Sequence, residues 1–371
     1  MLSASRAGPA GALRRSAPQQ RPRPTPLLVR PSSRAAVATV AAAGRRRSAA
    51  AVVARAASDD GGGPDAATTT TTTTAALAPA LVGEDAAAFS FAQQSLRSWG
   101  VFGVLVSIVI GGLYVVWIRP GGGLGEAYAR GVLALCGGSS PAAMLALLGI
   151  FGVAHSGLAS LRPLAEPVVG ARAWRVLFAL VSLPLATSAI VFFINHRYDG
   201  APLWDVKGIP GVHALVWTAS FVSFLFLYPS TFNLLEVAAV DEPRQHLWET
   251  GVTRITRHPQ AVGQGLWCAA HTLWVGTPVM LAATAGLMAH HLFGVWNGDR
   301  RLRDRHGEAF QAVKARTSAW PFAAILDGRQ VLPPDYWREW ARWPYAVVVA
   351  ATLGAYWAHP LMQAASYGLK W

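Results

Sequence analysis

The sequence predicts an all-α, polytopic transmembrane helix bundle of about seven spans behind a disordered N-terminal leader. Three observations carry that prediction. Of the 371 residues, 53% are apolar and 14% charged, whereas a soluble chain usually carries about a quarter charged residues. Several apolar runs approach the ~20 residues that a helix needs to cross a bilayer. The formal charge of +13 is concentrated at the front, because residues 1–58 hold eleven Arg, seven Ser and no Asp, Glu or Lys, and the remainder carries about +2.

An acid-free leader rich in Arg, Ser and Ala has the composition of an organelle transit peptide, expected to span residues 1–57. A basic arm for nucleic acid is the weaker reading, since the segment lacks aromatics and Lys. Residues 58–95 include "DDGGGPDAATTTTTTTAALAPA", a low-complexity linker unable to bury a core. The membrane domain is expected over 96–371. Its spans fall at 99–118, 141–160, 173–194 and 211–232, then at 259–275 and 278–296 across a tight "VGTP" turn, and finally at 343–359.

Trp99, Trp117, Trp217, Trp296, Trp343 and Trp357 sit near predicted ends, as interfacial aromatic residues do. The stretch "PPDYWREWARWP" resembles an amphipathic segment lying at the interface. With seven spans, Arg119, Arg130, Arg197, Lys207 and Lys370 fall on one side and the other sixteen basic residues beyond the leader on the opposite side. Basic loops stay on the side of insertion, the matrix or stroma of an organelle. Two cysteines, Cys136 and Cys268, make no disulfide framework.

Ten histidines are present, and their depth separates them. His196, His213, His246, His306 and His359 fall in loops or near span ends, where an ordinary polar role suffices. His155, His271, His290 and His291 fall inside apolar runs, and an ionisable residue at membrane depth is a functional candidate by default. Imidazole ligates iron, copper or zinc, and two axial imidazoles can hold a haem. Cys268 and His271 are spaced i, i+3 and share a helix face. A closed zinc site would want four ligands at close range, and one cysteine lies near. His258 precedes Pro259 and suits the start of a helix. It lies thirteen residues from His271, about 20 Å of helix, so one metal cannot bind both. On residues alone, His271 reads equally as a structural hydrogen-bonding group or as a ligand.

"FGVAHSGLASLRP", "TRHPQAVGQGLWCAAHTLWVG" and "GLMAHHLFGVWNGDRRL" together closely resemble the 15-cis-zeta-carotene isomerases, the plastid branch of the NnrU-like membrane proteins. The resemblance runs from about Trp99 to the C-terminus. It implies a multi-pass enzyme of a chloroplast membrane, envelope or thylakoid, that turns the 15-15′ cis double bond of 9,15,9′-tri-cis-zeta-carotene to trans and yields 9,9′-di-cis-zeta-carotene. It implies haem b as cofactor, with His155 and His271 as the catalytic and iron-binding residues and Cys268 as an alternative ligand exchanged with redox state. The implied partners are a carotenoid dissolved in the bilayer, an electron donor and the carotenoid desaturases, with no nucleic acid.

The predicted topology resists one part of this. His155 and His271 lie ~20 Å from opposite membrane faces, so in a core ~30 Å thick their depths differ by ~10 Å. His258, His290 and His291 are therefore reserve ligands. Two other classes are compatible with parts of the pattern. "TRHPQ" before a basic stretch is similar to membrane methyltransferases of the isoprenylcysteine methyltransferase type, although Gln260 and Ala261 stand where an aromatic residue is expected and no Glu pair follows. A haem redox carrier without catalysis would use the same ligands.

Overall fold

Ser95 opens the first helix, its side chain accepting from the Ser98 amide at 3.2 Å. The computed structural model describes residues 94–240, 247 and 249–371; the predicted leader 1–57 and nearly all of the linker 58–95 lie outside the described residues. Helix α1, Leu96–Gly112, continues as a π-helical stretch, Leu113–Ile118. The order is then α2 (Leu124–Leu135), α3 (Ser140–Val169), α4 (Ala171–His196), α5 (Val212–Ala239), α6 (Val252–Ile255), α7 (Pro259–Val275), α8 (Pro278–His306), α9 (Glu308–Arg316), α10 (Ala323–Leu326), α11 (Trp337–Trp340) and α12 (Trp343–Ser366).

The predicted apolar runs each fall within a long helix. Among the described residues five are long and apolar enough to cross a membrane: α1 with its π-helical extension, α3, α4, α8 and α12. Helix α5 is 28 residues long and apolar over Val212–Leu227, and α7 is shorter, at 17 residues. Helices α3 and α8 overrun their predicted ends, reaching Val169 and His306. The apolar signal stops near residue 296, but the following Arg and Leu residues are good helix formers, so the backbone continues into the polar zone.

Packing explains which helices meet. Ala143, Met144 and Leu147 of α3, Phe192 of α4 and Val279 and Ala283 of α8 form one buried cluster with residues of α2. Outside it the helices stay apolar: Ile108, Val153, Leu164 and Leu292 are all more than half exposed, as suits helices surrounded by lipid. At Gly286 of α8 a Cβ would lie 2.6 Å from Leu148 Cδ1 of α3, so the close approach of these helices requires glycine. Helix α8 also packs along α7, where Thr272 and Thr284 share a hydrogen bond of 2.7 Å. Gly276, at φ 63°, ends α7 with its Cα facing the Trp204 carbonyl; Thr277 then caps Met280 N at 3.2 Å and Pro278 starts α8.

The aromatic placements divide. Trp296, Trp343 and Trp357 are exposed near helix ends or on the outer surface. Trp117 instead turns inward and donates to Ser188 Oγ at 2.8 Å, while Trp217 packs on Phe221 and Tyr356. Buried Trp satisfies its N–H where a partner is in reach. Within "PPDYWREWARWP" the helical parts are the single turn α11 and the first two residues of α12, and Glu339 points inward to Arg254 at 2.9 Å.

Residues around α6, α9, α10 and α11 form a polar cap at the basic end of the bundle. Arg316 bonds Glu249 through two nitrogens at 2.9 and 2.7 Å. The Arg257 amide donates to Ser318 O at 2.9 Å, and Thr256 Oγ1 donates to Ala319 O at 2.7 Å.

Candidate functional site

Helices α3 and α8 both start at the less basic face, given the alternation of spans, and run in the same direction. His155 stands fifteen residues after Ser140 and His290 twelve after Pro278, so both lie about 20 Å from that face. Their rings meet edge to face with centroids 5.4 Å apart, and Phe151 lies 5.1 Å from each ring. His291 follows, 5.7 Å from His290 between centroids. These three imidazoles and His258 line one cavity of about 420 Å³ between α3, α7, α8 and the cap.

Each ring is held differently. His155 Nδ1 is 2.7 Å from Ser182 Oγ, which leaves Nε2 free. His290 Nδ1 is buried without a hydrogen-bond partner among the described residues, facing Gly152. His258 Nε2 lies 2.8 Å from Asp299 Oδ1, and Arg257 holds both oxygens of that carboxylate at 3.1 and 2.9 Å. Lys314 approaches Asp299 at 3.3 Å. One carboxylate therefore faces three potential cations, and the basic end of the cavity keeps an excess of positive charge. The His258 pairing was invisible in sequence, where forty-one residues separate the partners.

Cys268 and His271 sit elsewhere on α7 and do not line this cavity. Cys268 is 1% exposed and receives a hydrogen bond from Gln264 at 3.4 Å. His271 stacks on Trp267 with centroids 3.8 Å apart and gives Nδ1 to the Trp267 carbonyl at 2.9 Å. It lies four residues before the end of α7, close to the less basic face. The structure thus brings His155, His258, His290 and His291 together, keeps Cys268 and His271 together one turn apart, and separates the two groups.

The donor set suits an iron already held in a macrocycle, which needs one or two axial protein ligands. His155 and His271 each have Nδ1 engaged and Nε2 free, the way metal-ligating imidazoles are held. Among the described residues, no three His, Cys, Asp or Glu are grouped to hold a bare metal ion.

The family described as NnrU protein matches residues 143–366, which include nearly all of α3 and the whole of α7 and α8. The chain is 60% identical over 291 residues to the 15-cis-zeta-carotene isomerase, chloroplastic, of Arabidopsis thaliana, covering 78% of this chain and 79% of that one. It is 59% identical over 293 residues to the protein of the same name from Zea mays, covering 79% and 80%. No solved structure matches the chain.

Proposed function

The chain belongs to the 15-cis-zeta-carotene isomerase family of NnrU proteins, and from that membership we propose that it isomerises zeta-carotene in a chloroplast membrane with haem b as cofactor. The bond turned is the 15-15′ cis double bond of 9,15,9′-tri-cis-zeta-carotene, and the product is the 9,9′-di-cis isomer. The single observation that supports the haem reading is the imidazole cluster at membrane depth, with His155 fixed by Ser182 and facing a cavity.

Haem iron would supply the transient loss of double-bond order in the polyene, by electron donation or by coordination. The protein's part is to hold that iron, exclude water and admit a hydrocarbon. His155 offers Nε2 from α3. The family resemblance gives the second position to His271, whose Nδ1 is anchored on Trp267, with Cys268 one turn earlier as the ligand exchanged on a change of redox state. The half-exposed apolar faces of α3 and α8 give a bilayer-dissolved carotenoid a lateral approach. A second reading is favoured by one distance: His290, 5.4 Å from His155 between ring centroids, takes the second position in place of His271.

The test is expression beside the carotenoid desaturases, with pigment analysis and reduced-minus-oxidised spectra of the purified protein. His155→Ala should lose haem and leave the tri-cis isomer accumulated. His271→Ala should do the same on the first reading, and His290→Ala on the second. Cys268→Ala should keep haem and change the ferric spectrum. A chain without a haem spectrum that still isomerises would remove the cofactor from the proposal. A haem spectrum without isomerisation would make the protein a redox carrier.

A further inference from the structure

Helix α8 carries a pattern on its cavity side that the imidazoles alone do not explain. His290, Gly294, Gly298 and Arg301 all line the cavity, at spacings of four, four and three. Eleven residues make about three turns, so His290 and Arg301 share one face about 16 Å apart along the axis. Side chains lean toward the helix N-terminus, which brings the guanidinium back toward the histidine. Between them the wall is open at two glycines: a Cβ at Gly294 would meet nothing within 4 Å, and one at Gly298 would meet only His258 Cε1 at 3.9 Å, while Asn297 is engaged with Ser160 and Arg300. The result is a groove with a metal-binding group at its deep end, two glycines and Asn297 along its floor and a cation at its outer end.

Among the described residues Arg301 has no hydrogen bond and no ion pair, although it is half-buried. Its neighbours are committed: Arg257 to Asp299, Arg300 to Asn297 and Asp304, and Arg162 to Glu166 at 2.6 Å. Arg162, Arg300 and Arg305 lie within repulsive range of Arg301, and Glu166 is the acid within attractive range. A half-buried guanidinium in such a field calls for an anion, and its planar donors match a carboxylate.

We propose that Arg301 binds a carboxylate of the haem macrocycle, so that the α8 groove orients an amphipathic tetrapyrrole with its acid groups toward the basic face. This rests on the haem reading above and is independent of which residue takes the second axial position. The same chemistry could be met by the headgroup of an anionic lipid, and the experiment separates the two sources.

The full chain, purified in detergent and freed of haem, is titrated with haemin and with haemin dimethyl ester, whose carboxylates are blocked. The expected result is that the native protein binds haemin at least about tenfold more tightly than the ester, the range of a charge-assisted hydrogen bond. Arg301→Gln should remove that preference and leave ester binding unchanged, while Arg301→Lys should keep part of it. Equal affinity of the native protein for both compounds overturns the inference and leaves the haem reading intact. A preference that survives in Arg301→Gln also overturns it. Loss of the preference when anionic lipid is added to the native protein assigns Arg301 to a headgroup and overturns it as well. Failure of both compounds to bind overturns the haem reading, and the inference with it. A collapsed Arg301→Gln protein is recognised by loss of ester binding, and Arg301→Lys then carries the test.

Discussion

His258 and Asp299 join the start of α7 to the outer part of α8 through one hydrogen bond of 2.8 Å. Arg257 and Lys314 share the same carboxylate, whose side chain is 13% exposed. Removing that acid leaves Arg257, whose side chain is 15% exposed, without its counter-charge. Asp299→Ala should therefore cost about 3 kcal/mol, the lower end for breaking a buried pair, and lower the thermal midpoint in detergent. Asp299→Asn should cost less, because it still accepts from Arg257. An unchanged midpoint for the Ala variant would show that water already screens the cluster.

Ser182 sets the ring of His155 from the neighbouring helix, at 2.7 Å. Ser182→Ala should leave the fold intact and weaken haem affinity about 10- to 100-fold, the usual effect of losing the group that orients a ligand. Ser182→Thr should restore most of it. Haem retained per polypeptide during dilution reads the effect directly. Equal retention in all three proteins would place the orientation of His155 elsewhere.

Gly286 meets Leu148 where α3 and α8 come closest. Any larger residue overfills that contact, and Gly286→Val should cost about 1–3 kcal/mol. Because the two helices carry His155 and His290, stability and haem content should fall together. Leu148→Ala introduced with Gly286→Ala should recover both relative to Gly286→Ala alone. A double variant no better than the single one would locate the damage away from this contact.

The distribution of basic residues gives an orientation. Arg300, Arg301, Arg303 and Arg305 should face the stroma with the cap. Cysteines placed at Arg329 and Lys207, in a chain whose two native cysteines are replaced, should react with an impermeant maleimide from opposite sides of sealed plastid membranes. Labelling of both from the same side would refute the alternating topology.

The bundle was legible because its signal is composition over ~20 residues, and each apolar run became a helix. Ends were less legible: α8 continues ten residues past its last apolar stretch, since helix propensity outlasts hydropathy. The depths of His155 and His290 followed from counting along spans, but their contact did not, because a sequence does not state which spans are neighbours. Gly286 and the shared direction of α3 and α8 supply that. The cap was the least visible part. Arg316 with Glu249, and Arg254 with Glu339, pair across 67 and 85 residues of chain, and nothing local in either partner announces the other.

The turn at Gly276 and Thr277 has a consequence for how the protein is made. Two residues separate the end of α7 from the start of α8, too few to let either helix enter the bilayer alone and wait for the other. They must partition together as a helical hairpin. Helix α7 is short and carries Gln264, Cys268, His271 and Thr272, groups that disfavour independent entry, whereas α8 is 29 residues long and more readily inserted. Thr272 and Thr284 already satisfy one another across the pair. The hairpin thus lets a helix too polar to insert by itself be carried in by its neighbour, and the polar side chains reach membrane depth already shielded.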